Sequence, residues 1–165
     1  MLSRLARLRV PLGFGAAAVA LVFARPSWSS WLQGAPIALA GELLRCWAAG
    51  HIEKGREITR SGPYRWTRHP LYLGSALIGA GFAVAANSAL VTVVTMAYLV
   101  LTLVAGIRLE EGHLDEKFAG EYSDYRAGRA APVRRAFSWA RVRDNREYKA
   151  ILGLGAGFAY LAWRM

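Results

Sequence analysis

The sequence predicts an all-α polytopic membrane protein with about five transmembrane helices and a cytoplasmic amphipathic helix after the fourth. Three observations predict it. First, the 165-residue chain has a positive mean hydropathy of +0.23 although it carries 21 Lys and Arg and 11 Asp and Glu. Its charges must therefore be segregated from long apolar blocks. That excludes a disordered chain and argues against an ordinary soluble domain. Second, five such blocks are present: Val10–Ala24, Trp31–Ala49, Leu71–Ala86, Ala89–Ile107 and Ala150–Trp163. Third, the cations between them alternate sides, as they do in multi-pass membrane proteins. The length suits one domain over residues 1–165.

The first block follows Arg4, Arg7 and Arg9 and ends in small residues, much as a signal peptide does. Four further blocks follow, so an uncleaved first helix is expected. The second block carries Glu42 and Arg45, three residues apart on one helical face. Either the two face protein as an intramembrane pair, or Arg45 reaches back to the nearer surface. Only Asn87-Ser88 separates the third block from the fourth, so these two must form an antiparallel hairpin. The fourth block is long enough to span outright, whereas the first, third and fifth rely on flanking residues or a thinned bilayer. The pairs Ser75 and Gly79, and Gly153 and Gly157, have the four-residue spacing that lets helices approach closely in lipid.

Charge sets the orientation. Eighteen of the 21 Lys and Arg lie before the first block, in Gly50–Pro70 or in Arg108–Lys149, whereas Arg25 and Arg164 lie on the other side. The positive-inside rule places the N-terminus and both basic segments in the cytoplasm and the C-terminus outside. The net charge of +10 calls for an anionic partner, and the apolar blocks decide for membrane lipid over nucleic acid. Cys46 stands alone, which excludes an internal disulfide and a multi-cysteine metal site. His51, His69 and His113 are not at metal-site spacing, so no metal is expected.

The hairpin brings two cytoplasmic segments together. One is Ser61-Gly62-Pro63-Tyr64-Arg65-Trp66-Thr67-Arg68-His69-Pro70-Leu71-Tyr72, and the other ends Arg108-Leu109-Glu110-Glu111-Gly112-His113. Tyr64, Arg68, His69 and Tyr72 should then face Glu110 and Glu111 across one interfacial pocket. Arg65, Trp66 and Arg68 also read as an ordinary basic-aromatic membrane edge. Adjacent carboxylates at a cytoplasmic helix end do not, because they oppose both the helix dipole and the anionic lipid surface. They need a cationic partner, from the protein or from a ligand. Beyond them Leu114, Phe118, Tyr122 and Tyr125 recur every three or four residues, which predicts an amphipathic helix over Glu110–Arg126 roofing the pocket. The five arginines in Arg134–Arg146 read as a lipid-surface anchor.

The first run resembles the G-P-Y-x-x-x-R-H-P-x-Y-x-G signature of integral-membrane methyltransferases of the isoprenylcysteine carboxyl methyltransferase and phospholipid methyltransferase type. The second, Arg108-Leu109-Glu110-Glu111 with Leu114, Phe118, Glu121, Tyr122 and Tyr125, is similar to the R-x-E-E-x-x-L and F-x-x-E-Y-x-x-Y signature of the same proteins. The likeness covers roughly residues 50–132. It implies S-adenosylmethionine bound at the cytoplasmic side of the hairpin and methyl transfer to a lipophilic acceptor entering from the bilayer. His51, Tyr64, His69 and Glu111 are carried over from the resemblance as cofactor-binding residues. Arg68 and Tyr72 join them on physical grounds. Arg68, His69 or a helix N-terminus can take the cofactor's carboxylate. The tyrosines offer aromatic faces to adenine or the sulfonium. For catalysis, Glu110 is the candidate base for an amine acceptor, and Arg108 the group to orient an anionic one. A carboxylate acceptor needs no base, and the sequence leaves the choice open, as it does the oligomeric state. Two other classes compete: an NADPH-dependent membrane reductase of the sterol-reductase type, which has a related R-H-P-x-Y-x-G run, and a non-enzymatic membrane protein with a basic lipid-binding face.

Overall fold

Each apolar block forms a helix, and the helices end where polar residues interrupt the blocks. The computed structural model describes residues 2–53, 55–131 and 133–165, apart from the side chains of residues 2–10 and 119. The elements are α1 (Leu2–Phe23), α2 (Trp28–Ala49), a 3-10 turn (Gly62–Arg65), α3 (Pro70–Ala86), α4 (Ala89–Arg126), α5 (Trp139–Asp144) and α6 (Tyr148–Trp163), with no strand among the described residues. Ser27 and Ser30 start α2 as a capping box, each hydroxyl accepting from the other's backbone N–H at 3.2 and 3.0 Å. Pro70 opens α3, where its fixed φ suits a first helical turn. Asn87 closes α3 in the left-handed region (φ 48°, ψ 46°), and Ser88 caps α4 by accepting from the Val91 N–H. The hairpin expected from Asn87-Ser88 is therefore formed.

The tightest packing lies between α2 and α3. A side chain on Gly34 would sit 2.3 Å from the Gly81 carbonyl oxygen, and one on Gly41 would sit 2.6 Å from that of Gly74. The register runs antiparallel, Gly34 to Gly81 and Gly41 to Gly74, so the backbones touch through two pairs of glycines seven residues apart. Of the pairs singled out in the sequence, Gly79 makes a close contact, receiving Leu99 of α4, whereas Gly153 faces open space. The buried apolar residues are small. Nine of the sixteen buried hydrophobics among the described residues are alanines, while Phe14, Leu32, Leu43, Val93, Val100 and Leu152 are each more than 60% exposed. Small residues inside and large apolar ones outside is the reverse of a water-soluble core and is the pattern of helices packed in lipid.

Among the described residues, one helix is long and apolar enough to cross a membrane, α4 over Ala89–Phe118; the apolar stretches Pro11–Phe23 and Pro70–Ala86 are shorter. The expected amphipathic helix Glu110–Arg126 is the unbroken continuation of α4. Arg126 Nη1 comes within 3.7 Å of Asp115 Oδ2 along it.

The loops sort to two ends. At one, the Arg25 N–H donates to the Ala86 carbonyl, Asn87 Nδ2 donates to that of Arg25, and Arg164 donates to those of Leu21 and Val22. The segments 50–69 and 127–147 meet at the other. Arg45, inside α2, pairs with Glu147 at the start of α6, at 2.6 Å, and donates to Ser75 Oγ and the Leu71 carbonyl. Of the two alternatives for Arg45, a pair with Glu42 or a reach to the surface, the ion pair with Glu42 is not formed, because Glu147 takes the guanidinium. Glu42 accepts from the Cys46 thiol, and its other oxygen is buried without a partner.

Candidate active site

The site is built where the 3-10 turn, the start of α3 and the second half of α4 converge. Gly62 enters the turn at φ +57°, and a side chain there would lie 2.5 Å from the His51 ring. His51 Nδ1 stands 3.1 Å from Ser61 Oγ, so the buried imidazole braces the turn that presents Tyr64. Burial first, then Arg141 and Arg135, push the His51 pKa below the usual histidine value. From the other side Tyr125 Oη donates to the Tyr64 carbonyl at 2.7 Å. Arg60 pairs with Glu121 at 2.8 Å, and Lys117 Nζ donates to the Gly55 carbonyl, also stapling α4 to the loop.

Glu111 is the hub of the charges. Its Oε1 accepts from His69 Nε2 at 2.9 Å and from Arg68 Nη1 at 3.0 Å. Glu111 lies beyond the apolar stretch Ala89–Ile107. The hydrogen bond from His69 holds its carboxyl below the usual range, burial opposing and Arg68 adding to the effect. The Tyr72 ring lies edge-on to His69, 5.8 Å between centroids, and rests over Gly106 of α4.

Beside this cluster is a cavity of about 370 Å³. Tyr64, Arg68 and Glu110 line it, with His113, Leu114, Lys117, Phe118, Tyr122 and Tyr125 from α4 and Ile52, Ile58 and Thr59 from the loop. The apolar stripe Leu114, Phe118, Tyr122 and Tyr125 therefore does cover the pocket. Glu110 has no ion-pair partner among the described residues. The hydroxyl oxygens of Thr59 and Tyr64 are buried behind the cavity surface without a hydrogen-bond partner, and that of Tyr122 lies beside Glu111 and Arg68. Burial pushes the Tyr64 phenol up, with Glu110 adding to it, and burial followed by Glu111 pushes the Tyr122 phenol up to about 12.

Of the residues singled out in the sequence, Tyr64, Arg68 and Glu110 reach the cavity wall. His69, Glu111 and Tyr72 form the cluster beside it. His51 stands behind the wall, and Arg108 is exposed on α4 away from the cavity. Thr59 was not singled out, because a single threonine in a loop carries no spacing signal. The arginines of the tail divide. Arg135 pairs with Glu57 at 2.7 Å, and Arg141 donates to the Gly50 carbonyl at 2.7 Å, so both strap the tail to the loop below His51. Arg134, Arg143 and Arg146 remain exposed.

The two converging segments are the ones that carry the methyltransferase likeness. Residues 44–121 match the family model PEMT, phospholipid methyltransferase. The phospholipid methyltransferase match bears out the resemblance carried by the two motifs and supports an enzyme of the methyltransferase class. It includes His51, Tyr64, Arg68, His69, Tyr72, Arg108, Glu110 and Glu111, and it ends one residue before Tyr122. Comparison with curated proteins and with solved structures gave no match.

Proposed function

We propose that the protein is an S-adenosylmethionine-dependent membrane methyltransferase acting on a lipophilic acceptor at the cytoplasmic face. The observation that carries this reading is the cavity itself: both signature segments of a phospholipid methyltransferase border one cavity. The residues fit the cofactor on a structural ground as well. Arg68 and the aromatic residues Tyr64, Phe118, Tyr122 and Tyr125 line the wall, a cation and apolar rings that suit the cofactor's carboxylate and its adenine. Bound S-adenosylmethionine supplies an electrophilic methyl group. The chain's own contribution is to bind, orient and exclude water. Arg68 is positioned for the cofactor's carboxylate and Tyr64 for its aromatic or sulfonium part, with His69 and Glu111 fixing Arg68. Glu110 offers a free carboxylate at the wall, whereas Arg108 points elsewhere. That favours an amine acceptor over a carboxylate, with Glu110 taking the proton that the methylated amine must lose.

Around this site we read five spans, α1, α2, α3, the first half of α4, and α6, with the N-terminus cytoplasmic and the C-terminus outside. The sorting of Arg25, Asn87 and Arg164 to the end opposite the cavity supports this, as does the outward-facing apolar surface. Arg134, Arg143 and Arg146 then meet anionic headgroups. A reporter active only in the cytoplasm should be silent when fused after Met165 and active when inserted after Gly128; the opposite result overturns the topology.

Thermal denaturation of the detergent-purified protein tests the chemistry. S-adenosylmethionine and S-adenosylhomocysteine should raise the melting temperature in a concentration-dependent way, and NADPH should not. Stabilisation by NADPH alone would instead make the protein a reductase. No response to any of the three would leave a non-enzymatic lipid-binding face.

A further inference from the structure

One wall of the cavity is held from outside the matched family region. The match ends at residue 121, yet residues 135–145 take up the exit of α2 and the loop that follows it. Backbone carbonyls at and just after a helix end have no partner within the helix. Here four consecutive ones, those of Ala49, Gly50, His51 and Ile52, all receive donors from this one segment. Asn145 Nδ2 donates to the Ala49 carbonyl at 3.0 Å and to that of Ile52 at 3.2 Å. The Ser138 N–H and Arg141 Nε donate to that of Gly50 at 3.1 and 2.7 Å, and Arg135 Nη1 to that of His51 at 3.4 Å.

Side chains complete the contact. The Phe137 ring lies edge-on to His51, 6.2 Å between centroids, and a side chain on Gly50 would overlap it. Arg135 spans two glutamates, Glu57 at 2.7 Å and Glu53 at 3.6 Å, and both line the cavity. The segment is itself fixed, because Val142 is buried and Glu147, just beyond it, is paired with Arg45 of α2. The loop it holds has no helix or strand among its described residues before the 3-10 turn. The course of that loop therefore depends on contacts made from outside it. Two parts of the site follow that course: the wall residues Ile52, Glu53, Glu57 and Ile58, and His51, which braces the turn that presents Tyr64.

We infer that Arg135 and Asn145 are positioning residues of the ligand site. Neither lines the cavity. They act through the loop: Asn145 sets the direction in which the chain leaves α2, and Arg135 ties down the two glutamates of the wall. This rests on the cavity being the S-adenosylmethionine site.

The test uses the full chain in detergent, with Arg135→Met, Asn145→Ala, Arg135→Glu alone and combined with Glu57→Arg, and Arg134→Met as the exposed neighbouring control. S-adenosylhomocysteine is titrated calorimetrically well below the lowest melting temperature of the set, and each melting temperature is recorded without ligand. Arg135→Met and Asn145→Ala should each bind roughly three- to thirtyfold more weakly than the parent. Arg134→Met should bind as the parent does. Arg135→Glu should lose at least as much as Arg135→Met, and adding Glu57→Arg should recover part of the loss, because the pair is restored with its charges exchanged. If the parent binds S-adenosylhomocysteine and Arg135→Met and Asn145→Ala bind it equally well, the positioning role is overturned while the cofactor reading stands. Lower melting temperatures with unchanged affinity overturn it too, by showing that the contacts serve the fold alone. An equal loss in Arg134→Met overturns it as a general effect of charge. Where Arg135→Met or Asn145→Ala does not fold, the exchange decides, and no recovery on adding Glu57→Arg overturns the role of Arg135. If the parent binds no S-adenosylhomocysteine, the cofactor reading falls and the positioning role with it.

Discussion

Glu111→Gln is expected to lower the affinity for S-adenosylhomocysteine roughly ten- to a hundredfold, equivalent to about 1.5–3 kcal/mol. The carboxylate does not line the cavity. It holds the Arg68 guanidinium at 3.0 Å and the His69 imidazole at 2.9 Å, and Arg68 is the one that reaches the wall. Glutamine keeps the size but loses the charge that holds both, so Arg68 is released to solvent, where it is already 38% exposed. Glu111 is thus a positioning residue, which makes a sharp expectation for the double variant. Arg68→Ala with Glu111→Gln should bind no more weakly than Arg68→Ala alone. Additive losses would show instead that Glu111 contacts the ligand itself. His69→Ala should lose a similar factor while leaving the helical content intact, and Arg65→Ala, exposed on the 3-10 turn, should bind as the parent does.

Acidity offers a second check on the same contact. Because the Glu111 pKa is depressed in the folded protein, its stabilising contribution is fully present above the ordinary glutamate value of 4.5. It is lost as pH falls through the lower folded value. Stability of the parent should therefore decline below about pH 4.5 more steeply than that of Glu111→Gln. Parallel acid-unfolding curves for the two proteins would contradict the assignment.

The parts of this structure that were legible in the sequence are those fixed by chain connectivity. Two residues between apolar blocks permit only a hairpin, and a hairpin necessarily brings Arg68 and His69 to the level of Glu111. The stripe Leu114, Phe118, Tyr122 and Tyr125 was legible because helical periodicity is local. What stayed hidden depends on how distant elements pack. Glu42 is one turn from Arg45, yet the guanidinium is taken by Glu147, 102 residues on, because α6 begins beside it. The arginines of 134–146 look alike as a sequence, and only the position of Glu53, Glu57 and the Gly50 carbonyl turns Arg135 and Arg141 inward. The glycine pairs joining α2 to α3 lie seven residues apart on each helix and gain meaning only when the two are set antiparallel.

The ion pair of Arg45 with Glu147 gives the largest effect expected on stability. Arg45→Leu should cost about 3–5 kcal/mol, measured by denaturant titration in detergent, because it strands a buried carboxylate. Glu147 is only 4% exposed, and Glu42, one turn from Arg45 on α2, is 5% exposed with one oxygen unpaired. Removing the guanidinium thus leaves two buried carboxylates and no cation between them, and also frees the Ser75 hydroxyl and the Leu71 carbonyl that it bonds. Glu147→Gln should cost less, since Arg45 can turn to Glu42 and remain paired. The ordering is the discriminating feature: a simple two-member pair predicts equal losses from either side. Arg45→Leu combined with Glu147→Leu should recover much of the loss, because two apolar groups need no partner. Adding Glu42→Gln to Arg45→Leu should recover part of it too, and only if Glu42 belongs to the cluster. If Glu147→Gln proves as damaging as Arg45→Leu, Glu42 does not exchange with Glu147, and Arg45 is tied to the start of α6 alone.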